Sequence, residues 1–327
     1  MNWQSKQVLV TGAGGFIGSH LAEQLVTSGA QVRAFVHYNA LGTWGWLDHS
    51  PLRDQMEIVA GDITDAESVR QAAKGVETIF HLAALIGIPY SYRAPFSYVR
   101  TNVEGTLNVL QAARDLGGAR VVHTSTSEVY GTARQVPIPE THPLQGQSPY
   151  SASKIGADKL AESFHHSFNV PVVTVRPFNT FGPRQSARAV VPTIITQGLA
   201  GQKVKLGSLR PTRDLNFVAN TVEGFMLAGA SPAAVGHTIN LGSGREISIG
   251  DLAQLIGQLL GQTILAETVS ARVRPEGSEV ERLLADSRLA HELLGWAPRV
   301  SLEDGLRQTI AWLRQNQERY RPGVYVV

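Results

Sequence analysis

Short apolar runs alternate with longer segments of helical periodicity through the first half of this chain. The apolar runs, which predict strands, lie at residues 8–10, 32–36, 57–59, 78–82, 120–124 and 172–176. The helical segments between them lie at residues 17–28, 66–74, 97–116 and 149–168. Because strands that alternate with helices join through right-handed crossovers, this order predicts a parallel sheet. The runs are nearly all apolar rather than alternating, as expected for strands that are buried on both faces.

Glycine and proline separate shorter elements in the second half of the chain. Helical periodicity returns at residues 220–229, 248–260, 286–294 and 301–318. Two of these helices begin with Ser-x-x-Asp, at Ser248 and Ser301, which predicts N-capped starts. The predicted fold class is α/β, with a Rossmann-type doubly wound parallel sheet of about six strands over residues 1–178 and return segments near 212–242. A smaller mixed α/β substrate-binding lobe is predicted over residues 179–327, with a ligand between the two at the carboxyl ends of the strands.

Composition narrows the possible functions. The 327 residues carry a net charge of +2, and the absence of long basic runs argues against nucleic acid as a partner. There is no cysteine, so disulfides and thiol nucleophiles are excluded, and no metal site is expected. We find no targeting segment and no apolar run of about 18 residues, so we expect a cytoplasmic protein without a membrane partner.

A glycine-rich loop follows the first apolar run and leads into a helix. It reads TGAGGFIG over residues 11–18 and contains the spacing G-x-x-G-x-x-G. Such glycines allow a tight turn, a close approach of backbone amides to a pyrophosphate and close helix packing, while the helix N-terminus favours the anion. The alternative is a glycine-rich turn without a ligand, but the strand before and the helix after favour a dinucleotide site. Its predicted residues are Gly12, Gly15, Phe16, Ile17 and Gly18.

A tyrosine and a lysine stand four residues apart in the fourth helical segment. Ser148 and Pro149 are typical of an N-cap and a first helical position, so Tyr150 and Lys154 share one face of the helix. A free phenol has a pKa near 10, and a neighbouring ammonium together with a positive nicotinamide favours the phenolate. The pair therefore predicts a general base near neutral pH. The alternative is a surface pair at helical spacing.

The fifth apolar run ends in the polar residues Thr126, Ser127 and Glu128. These side chains stand at the carboxyl end of a parallel strand, where α/β enzymes hold their chemistry. The alternative is a polar strand end that forms a turn. We include the three residues in the candidate catalytic set.

Together these motifs resemble the extended short-chain dehydrogenases/reductases, and the resemblance covers essentially the whole chain. Beside the glycine-rich loop it is carried by Gly61-Asp62-Ile63, His81-Leu82-Ala83-Ala84, Asn102-Val103-Glu104-Gly105-Thr106, Tyr150-x-x-x-Lys154 and Arg176-Pro177-Phe178-Asn179. The resemblance implies a bound nicotinamide dinucleotide, with the Asp62 carboxylate on the adenine amine. It also places in the cofactor site Ile63, Leu82, Ala83 and Ala84.

The choice between NAD and NADP stays open. NAD enzymes commonly carry an acid about 20 residues after the first glycine, where it holds the ribose hydroxyls. No acid occurs between Glu23 and Asp48, and the expected position is Val36, followed by His37. We include His37 in the predicted cofactor site. Arg33 and His37 are candidates for a 2′-phosphate contact, although Arg33 is more typical of a solvated strand residue.

The resemblance further implies a reaction on a nucleotide sugar. Thr126 would hydrogen-bond the C4 hydroxyl, and Glu128 stands where sugar 4,6-dehydratases have an acid and epimerases a small or apolar residue. Oxidation at C4 makes the C5 proton removable, a carboxylate takes it, water leaves from C6, and the hydride taken from C4 returns to C6. We therefore predict a nucleotide-sugar 4,6-dehydratase. Many dTDP-glucose dehydratases have an aspartate in place of Ser127, so the acid at C6 stays open, and the motif is similar to that of GDP-mannose 4,6-dehydratases.

Three other functions remain as alternatives. A nucleotide-sugar 4-epimerase uses the same scaffold. UDP-glucuronate decarboxylases share the sequence Thr-Ser-Glu-Val-Tyr-Gly, but residues 143–148 carry no charge that would bind a carboxylate before the catalytic tyrosine. A non-catalytic NAD(P)-binding sensor usually lacks the tyrosine or the lysine, and this chain keeps both.

The second lobe is expected to bind the substrate. By resemblance, the residues that contact it are Asn179, Val191, Arg213 and Arg274. Guanidinium groups suit the diphosphate, and the alternative for each arginine is a surface ion pair. Residues 44–48, 182–188 and 278–286 are similar to bacterial dehydratases of legionaminic-acid-type pathways. The expected partner is a GDP- or UDP-linked hexose or N-acetylhexosamine, and family analogy predicts a homodimer built on residues 97–116 and 149–168.

For four side chains the sequence leaves two interpretations open. Arg184 and Arg188 either reach phosphate or are solvated. Trp44 and Trp46 either belong to the core of a loop or form a lid near the adenosine. The sequence does not decide between these.

Overall fold

The computed structural model describes residues 2–201 and 203–324. Its strands, in chain order, are β1 Gln7–Thr11, β2 Gln31–His37, β3 Met56–Gly61, β4 Thr78–His81, β5 Arg120–Thr124, β6 Val172–Pro177, β7 Asn179–Phe181, β8 Val204–Leu206, β9 Thr212–Phe217, β10 Thr238–Leu241, β11 Glu246–Ser248 and β12 Ala266–Thr268. Its α-helices are α1 Phe16–Thr27, α2 Ala66–Ala72, α3 Ile88–Arg93, α4 Pro95–Tyr98, α5 Gly105–Asp115, α6 Pro149–Phe168, α7 Val190–Leu199, α8 Val218–Ala230, α9 Ile249–Leu260, α10 Arg288–Leu294 and α11 Leu302–Gln315. None of the helices in these ranges is both long and apolar enough to span a membrane.

Seven strands form one parallel sheet in the order β10-β6-β5-β4-β1-β2-β3. The order reverses between β1 and β4, so the crossovers on either side of this point leave toward opposite faces and open a crevice at the carboxyl ends. The predicted Rossmann-type fold is confirmed. The sequence pattern marked six strands, and the seventh, β10, was missed because its four residues alternate polar and apolar at the sheet edge.

Both faces of the sheet are covered, which explains the largely apolar character of its strands. In β1, Val8 and Val10 belong to one hydrophobic core, and Leu9 belongs to a second core on the opposite face. Helices α1 and α8 pack together on the first face, whereas α2, α5 and α6 cover the second. Burial on both sides fixes the strand ends that carry the polar residues of the crevice.

The predicted helix over residues 97–116 is a composite. It starts with α4, continues through a π-helical turn at Val99–Glu104 and ends with α5. The wider turn contains the buried Asn102, whose amide oxygen accepts a hydrogen bond from the Leu85 N–H at 2.8 Å. The Asn102 amide nitrogen donates to the Leu85 carbonyl at 3.0 Å and to the Ser153 hydroxyl at 2.9 Å. The π-helical turn therefore connects the segment after β4 to helix α6, a use of such turns that is frequent near functional sites.

The second half of the chain adds two small sheets, in the orders β11-β9-β7 and β12-β8. Within the return segment predicted near 212–242, α8 packs on the large sheet and β10 joins it, whereas β9 belongs to the three-stranded sheet. The predicted N-caps are confirmed. The hydroxyls of Ser248 and Ser301 accept hydrogen bonds from the N–H groups of Asp251 and Asp304, at 3.0 and 3.1 Å.

One asparagine connects helix α8 to the segment between α10 and α11. The buried Asn220 amide oxygen accepts from the N–H groups of Arg299 and Val300 at 3.0 and 2.9 Å. Its amide nitrogen donates to the Val300 carbonyl at 2.9 Å, and its own carbonyl accepts from the Trp296 indole. A single side chain thus satisfies three backbone groups of a segment that has no regular structure.

We expect Asn220→Ala to lower the free energy of unfolding by about 2–4 kcal/mol, because each lost hydrogen bond contributes about 1 kcal/mol and two N–H groups lose their partner. Urea unfolding monitored by circular dichroism measures this change. Asn316→Ala is the matched control, because its amide makes a single hydrogen bond, to the Trp312 carbonyl. Equal effects of the two substitutions would contradict the role of Asn220.

Candidate active site

A cavity of about 800 Å³ lies at the carboxyl ends of β1, β4, β5 and β6, between the large sheet and the second lobe. All but two of the residues predicted from the sequence for the site line this cavity. They are Gly12, Gly15, Phe16, Ile17, Gly18, His37, Leu82, Ala83, Ala84, Thr126, Ser127, Glu128, Tyr150, Lys154, Asn179, Val191, Arg213 and Arg274. One continuous space therefore joins the glycine-rich loop, the catalytic candidates and the two arginines.

Asp62 and Ile63 are the predicted residues that do not line the cavity. Ile63 is buried in the core, where its side chain packs against Gly105 of α5, so the structure does not bring that side chain to a ligand. The Asp62 carboxylate accepts hydrogen bonds from the N–H and the hydroxyl of Thr64, both at 2.8 Å. These hydrogen bonds, with a smaller contribution from nearby His37, lower the pKa of Asp62. An ionised carboxylate thus stands beside His37 without lining the cavity.

The glycine-rich loop forms a backbone cradle at the N-terminus of α1. Gly12 has φ +71°, and a Cβ there would lie 2.8 Å from the Ala83 nitrogen. Gly15 is the N-cap of α1, and the first turn has neither a side-chain cap nor an acidic residue. The uncapped N–H groups and the positive end of the helix suit an anion such as pyrophosphate. This end of the cavity therefore fits a dinucleotide.

A second glycine contact was not predicted from the sequence. The Trp46 N–H donates to the Gly14 carbonyl at 3.0 Å, and a Cβ at Gly14 would lie 2.5 Å from the Trp44 carbonyl oxygen. Trp44 lines the cavity, whereas the Trp46 ring packs edge-on against Trp312 of α11 with ring centroids 5.4 Å apart. The two tryptophans thus have different roles, one at the cavity wall and one in a packing contact.

The end of β2 presents no carboxylate to the cavity. Val36 is buried and lines the wall together with His37, and the acidic side chains that line the cavity in the described ranges are Glu128 and Glu279. The Arg33 side chain makes its contacts outside the cavity. Its guanidinium pairs with Glu57 at 2.7 Å and donates to two carbonyls at the end of α2. Arg33 is therefore not placed to contact a ribose phosphate.

Tyr150 and Lys154 lie on the buried face of α6, which begins with the predicted N-cap Ser148 in a capping box with Ser151. Burial raises the pKa of Tyr150 well above its usual value, and the Glu128 charge adds to this, while a hydrogen bond with the Thr126 hydroxyl opposes it. The phenol is therefore protonated at neutral pH in the protein by itself. The expected phenolate requires positive charge brought into the cavity beside it.

Lys154 is buried beside the tyrosine, and its ammonium donates to the Thr124 carbonyl at the end of β5 at 2.5 Å. Burial lowers the pKa of Lys154 to about 8, and the charge of Asp158 opposes this effect. Asp158 was missed in the sequence, although it stands one further turn along α6. The spacing 150, 154, 158 is the signal that could have identified it.

Glu128 lies close to the two arginines that were predicted to bind the diphosphate. Arg274 Nη1 is 3.9 Å from Glu128 and 3.6 Å from Glu279, and this buried atom makes no hydrogen bond with the described residues. Arg213 is 6% exposed and donates to Glu279 at 3.2 Å. The charges of the two arginines and the two carboxylates balance each other. Because Arg274 Nη1 makes no hydrogen bond with the described residues, this guanidinium can still donate to an incoming anion. Glu279 is a site residue that sequence reasoning missed.

Two amide oxygens add unpaired acceptors. Asn179 Oδ1 and Gln185 Oε1 are buried and have no hydrogen-bond partner in residues 2–201 and 203–324, and both residues line the cavity. The Gln185 amide nitrogen donates to the Thr180 carbonyl at 2.9 Å, which fixes the orientation of the amide. Buried acceptors without partners favour a ligand that donates hydrogen bonds there.

Arg184 and Arg188 occupy different positions and have different contacts. Arg184, at φ +70°, pairs with Glu23 of α1 at 2.9 Å and connects the loop after β7 to the large domain. Arg188 lines the cavity, and its guanidinium extends over Gly87 on the opposite lip. Only Arg188 of this pair is placed to reach a ligand in the cavity.

A Rossmann sheet whose crevice joins a glycine-rich loop to a buried Tyr-x-x-x-Lys helix defines an extended short-chain dehydrogenase/reductase. A family profile described as GDP-mannose 4,6 dehydratase matches residues 9–309. The chain belongs to this family, and the resemblance drawn from the sequence is confirmed.

Relatives and solved structures agree with this assignment. The chain is 34% identical to a UDP-glucose 4-epimerase of Mycolicibacterium smegmatis, over 95% of this chain and 100% of the relative. It is 33% identical to a dTDP-glucose 4,6-dehydratase of Actinoplanes sp., over 95% and 98%. A dTDP-glucose 4,6-dehydratase of Streptomyces venezuelae, solved with NAD bound, has a TM-score of 0.89 at 31% identity and is covered to 99%, against 96% of this chain. The predicted class, a nucleotide-sugar dehydratase that uses NAD(P), is confirmed, and epimerases occur at similar identity.

We expect Gly14→Ala to weaken binding of NAD by roughly 5–150-fold, because overpacking against the Trp44 carbonyl costs about 1–3 kcal/mol or displaces the loop. Titration of the purified protein with NAD, monitored by calorimetry, measures this change. Gly277→Ala is the control, because a Cβ at Gly277 meets no atom within 4 Å. Unchanged affinity in the Gly14 variant would show that the contact with Trp44 does not shape the cofactor site.

Proposed function

We propose that this protein is a nucleotide-sugar 4,6-dehydratase, with Tyr150, Lys154, Thr126 and Glu128 as its catalytic residues. The observation that carries the proposal is the Glu128 carboxylate, which is buried in the same cavity as the Tyr–Lys pair. A 4-epimerase needs no acid at this position, whereas elimination across C5 and C6 requires a base.

The first step is oxidation at C4, for which the bound nicotinamide supplies a reversible hydride acceptor. Tyr150 is assigned as the group that takes the proton from the C4 hydroxyl. Thr126, which is hydrogen-bonded to Tyr150, positions the C4 oxygen. Lys154 contributes positive charge beside the tyrosine, because its ammonium is fixed to the Thr124 carbonyl. Ser127 is buried next to these groups and completes the predicted set.

The second step is the loss of water from C5 and C6. Glu128 removes the C5 proton, which the C4 ketone has made acidic. The other acid of the cavity, Glu279, is paired with Arg213, so we assign to Glu128 also the return of a proton to the departing C6 hydroxyl. One carboxylate that acts first as base and then as acid accounts for the absence of an aspartate at Ser127. The hydride taken from C4 would then add at C6 and a proton at C5, which saturates the C5–C6 double bond and leaves the cofactor in its starting state.

The diphosphate of the substrate is assigned to Arg213 and Arg274, whose guanidinium groups face the same end of the cavity. We assign Asn179, whose amide oxygen is unpaired among the described residues, to the sugar, and Val191, which lines the cavity, to the nucleoside. The proposed substrate is a GDP- or UDP-linked hexose or N-acetylhexosamine. This assignment rests on the family resemblance and on the donor set of the cavity.

The cofactor site is proposed to hold NAD or NADP through Gly12, Gly15, Phe16, Ile17, Gly18, His37, Asp62, Ile63, Leu82, Ala83 and Ala84. For Ile63 this contribution is limited to its backbone, because its side chain is in the core. We propose a cytoplasmic location and a homodimer built on the helical run of α4, α5 and α6. The exposed Phe96 and Val99 on that run support a contact surface.

The main alternative is a 4-epimerase, which the 34% identity to the mycobacterial epimerase favours. A decarboxylase is less well supported, because residues 143–148 remain uncharged and none of them lines the cavity. A sensor without activity does not account for a buried carboxylate beside a Tyr–Lys pair. The mass of the product distinguishes epimerisation from dehydration.

We expect the purified protein to convert at least one of UDP-, GDP- or dTDP-linked glucose, mannose or N-acetylglucosamine to a 4-keto-6-deoxy product. Mass spectrometry detects the loss of one water, whereas an epimer keeps the mass of its substrate. Tyr150→Phe serves as the inactive control. Epimerisation without loss of water in the whole panel would overturn the proposed reaction.

We expect Glu128→Gln to reduce product formation by at least about 100-fold, because general acid–base groups contribute about 10²–10⁴-fold. Oxidation at C4 survives, so a 4-keto sugar that retains its C6 hydroxyl accumulates on the enzyme. Rapid quenching and mass spectrometry detect this species. Tyr150→Phe loses both the product and the 4-keto species, and an identical outcome in the two variants would remove Glu128 from the elimination.

A further inference from the structure

We propose that Asp158 is a positioning residue that keeps Lys154 charged, and that small solutes reach Asp158 through a second cavity behind the active site. The proposal rests on the catalytic pair assigned above. It does not depend on which nucleotide sugar is the substrate or on whether the sugar is dehydrated or epimerised.

The Asp158 carboxylate is held by side chains from two strands. One of its oxygens accepts from His123 Nε2 of β5 at 3.0 Å. The other accepts from the Ser125 hydroxyl at 2.7 Å and from the Arg176 guanidinium of β6 at 3.0 and 3.3 Å. All of these side chains are buried, so the carboxylate has one fixed position, one helical turn after Lys154 on the buried face of α6.

The charges around this carboxylate favour its ionised form. Burial alone would raise the pKa of Asp158, but the hydrogen bond from His123 and the charges of Arg176 and Lys154 outweigh it and hold the pKa at about 2. His123 itself is kept neutral, because burial lowers its pKa. Asp158 is thus a permanent anion at working pH.

Lys154 needs this anion. Burial lowers the pKa of Lys154 to about 8, and Asp158 is the charge that opposes the shift in the described part of the chain. The other titratable or charged groups that surround the pair are Tyr150, Tyr98, His81, His123, Glu128 and Arg176. Without Asp158 the effect of burial on Lys154 would be unopposed, so Lys154 would lose its proton at a lower pH.

A second cavity, of about 560 Å³, reaches the far side of this network. Asp158 and Arg176 line it but do not line the active-site cavity, whereas Lys154 lines only the active-site cavity. The rest of its wall is mixed, with the polar residues Glu140, His165 and His237 beside apolar ones such as Leu144 and Ile155. A small anion that enters this space can therefore take the place of a missing Asp158 carboxylate without passing the substrate.

The test measures the titration of Lys154 directly. The chain contains six lysines, so protein labelled with ¹⁵N at lysine gives a simple NMR spectrum, in which Lys154→Arg identifies the buried signal. We expect Asp158→Asn to lower the midpoint of this signal by about one pH unit or more. Glu162→Gln, which removes an exposed carboxylate one turn further along α6, is the matched control and leaves the midpoint unchanged. An unchanged midpoint in Asp158→Asn overturns the proposal.

If Asp158→Asn does not fold because Arg176 is left unpaired, the double variant Asp158→Asn, Arg176→Gln removes both buried charges, and the same lower midpoint is expected. In Asp158→Ala we expect formate to restore the midpoint with a saturable dependence on its concentration. Formate that has no effect on this variant overturns access through the second cavity. Formate has no effect on the wild-type protein or on Glu162→Gln.

Activity provides a second, separate measurement. We expect the alkaline limb of the pH profile of kcat to move with the NMR midpoint, while KM for the nucleotide sugar changes little. If this limb moves down by one pH unit, kcat at a given pH on the limb falls tenfold. A merely structural role would lower stability without moving the limb. If no nucleotide sugar is converted, the proposed function fails, and the NMR titration still decides the role of Asp158.

Discussion

The close approach of the backbone at the carboxyl ends of β1 and β4 is the constraint on which the site depends. The chain leaves β1 at Gly12 in a left-handed conformation and passes against the backbone of Ala83, where no side chain could be accommodated. The strand order reverses at this pair, so the helices on either side cover opposite faces and the crevice stays open. Helix α6 and the arginines of the second lobe add their groups to a space that the sheet has already created.

Charge balance is the second theme of the site. Two pairs of buried ionised groups, Arg176–Asp158 and Arg213–Glu279, form ion pairs. Lys154 has no such direct pair among the described residues, and the Asp158 carboxylate stands one helical turn further along α6. Burial of single charges is costly, so such pairing is required before a cavity can hold several of them. The protein thereby keeps reactive groups in a poorly solvated place without losing their ionised forms.

Local patterns predicted the parts of the site that depend on neighbours in sequence. The structure confirms the turn of the glycine-rich loop before α1, the N-cap at Ser148 and the shared helix face of Tyr150 and Lys154, because each is defined within a few residues. Contacts between distant segments were not predictable in this way. The meaning of Asp158 depends on two strands outside its own helix, and the contact of Gly14 depends on a loop about 30 residues away. Strand β10 was missed because a short alternating edge strand lacks the continuous apolar signal of the interior strands.

The position of Glu279 has a consequence for how the diphosphate of the proposed substrate would enter. Its carboxylate already stands against both guanidinium groups, so it resembles a tethered pseudo-ligand. A diphosphate that binds there exchanges one anion for another instead of neutralising free positive charge. Association should therefore respond only weakly to ionic strength, and selection among ligands should depend on the fit of the sugar and the base rather than on the attraction of the tail.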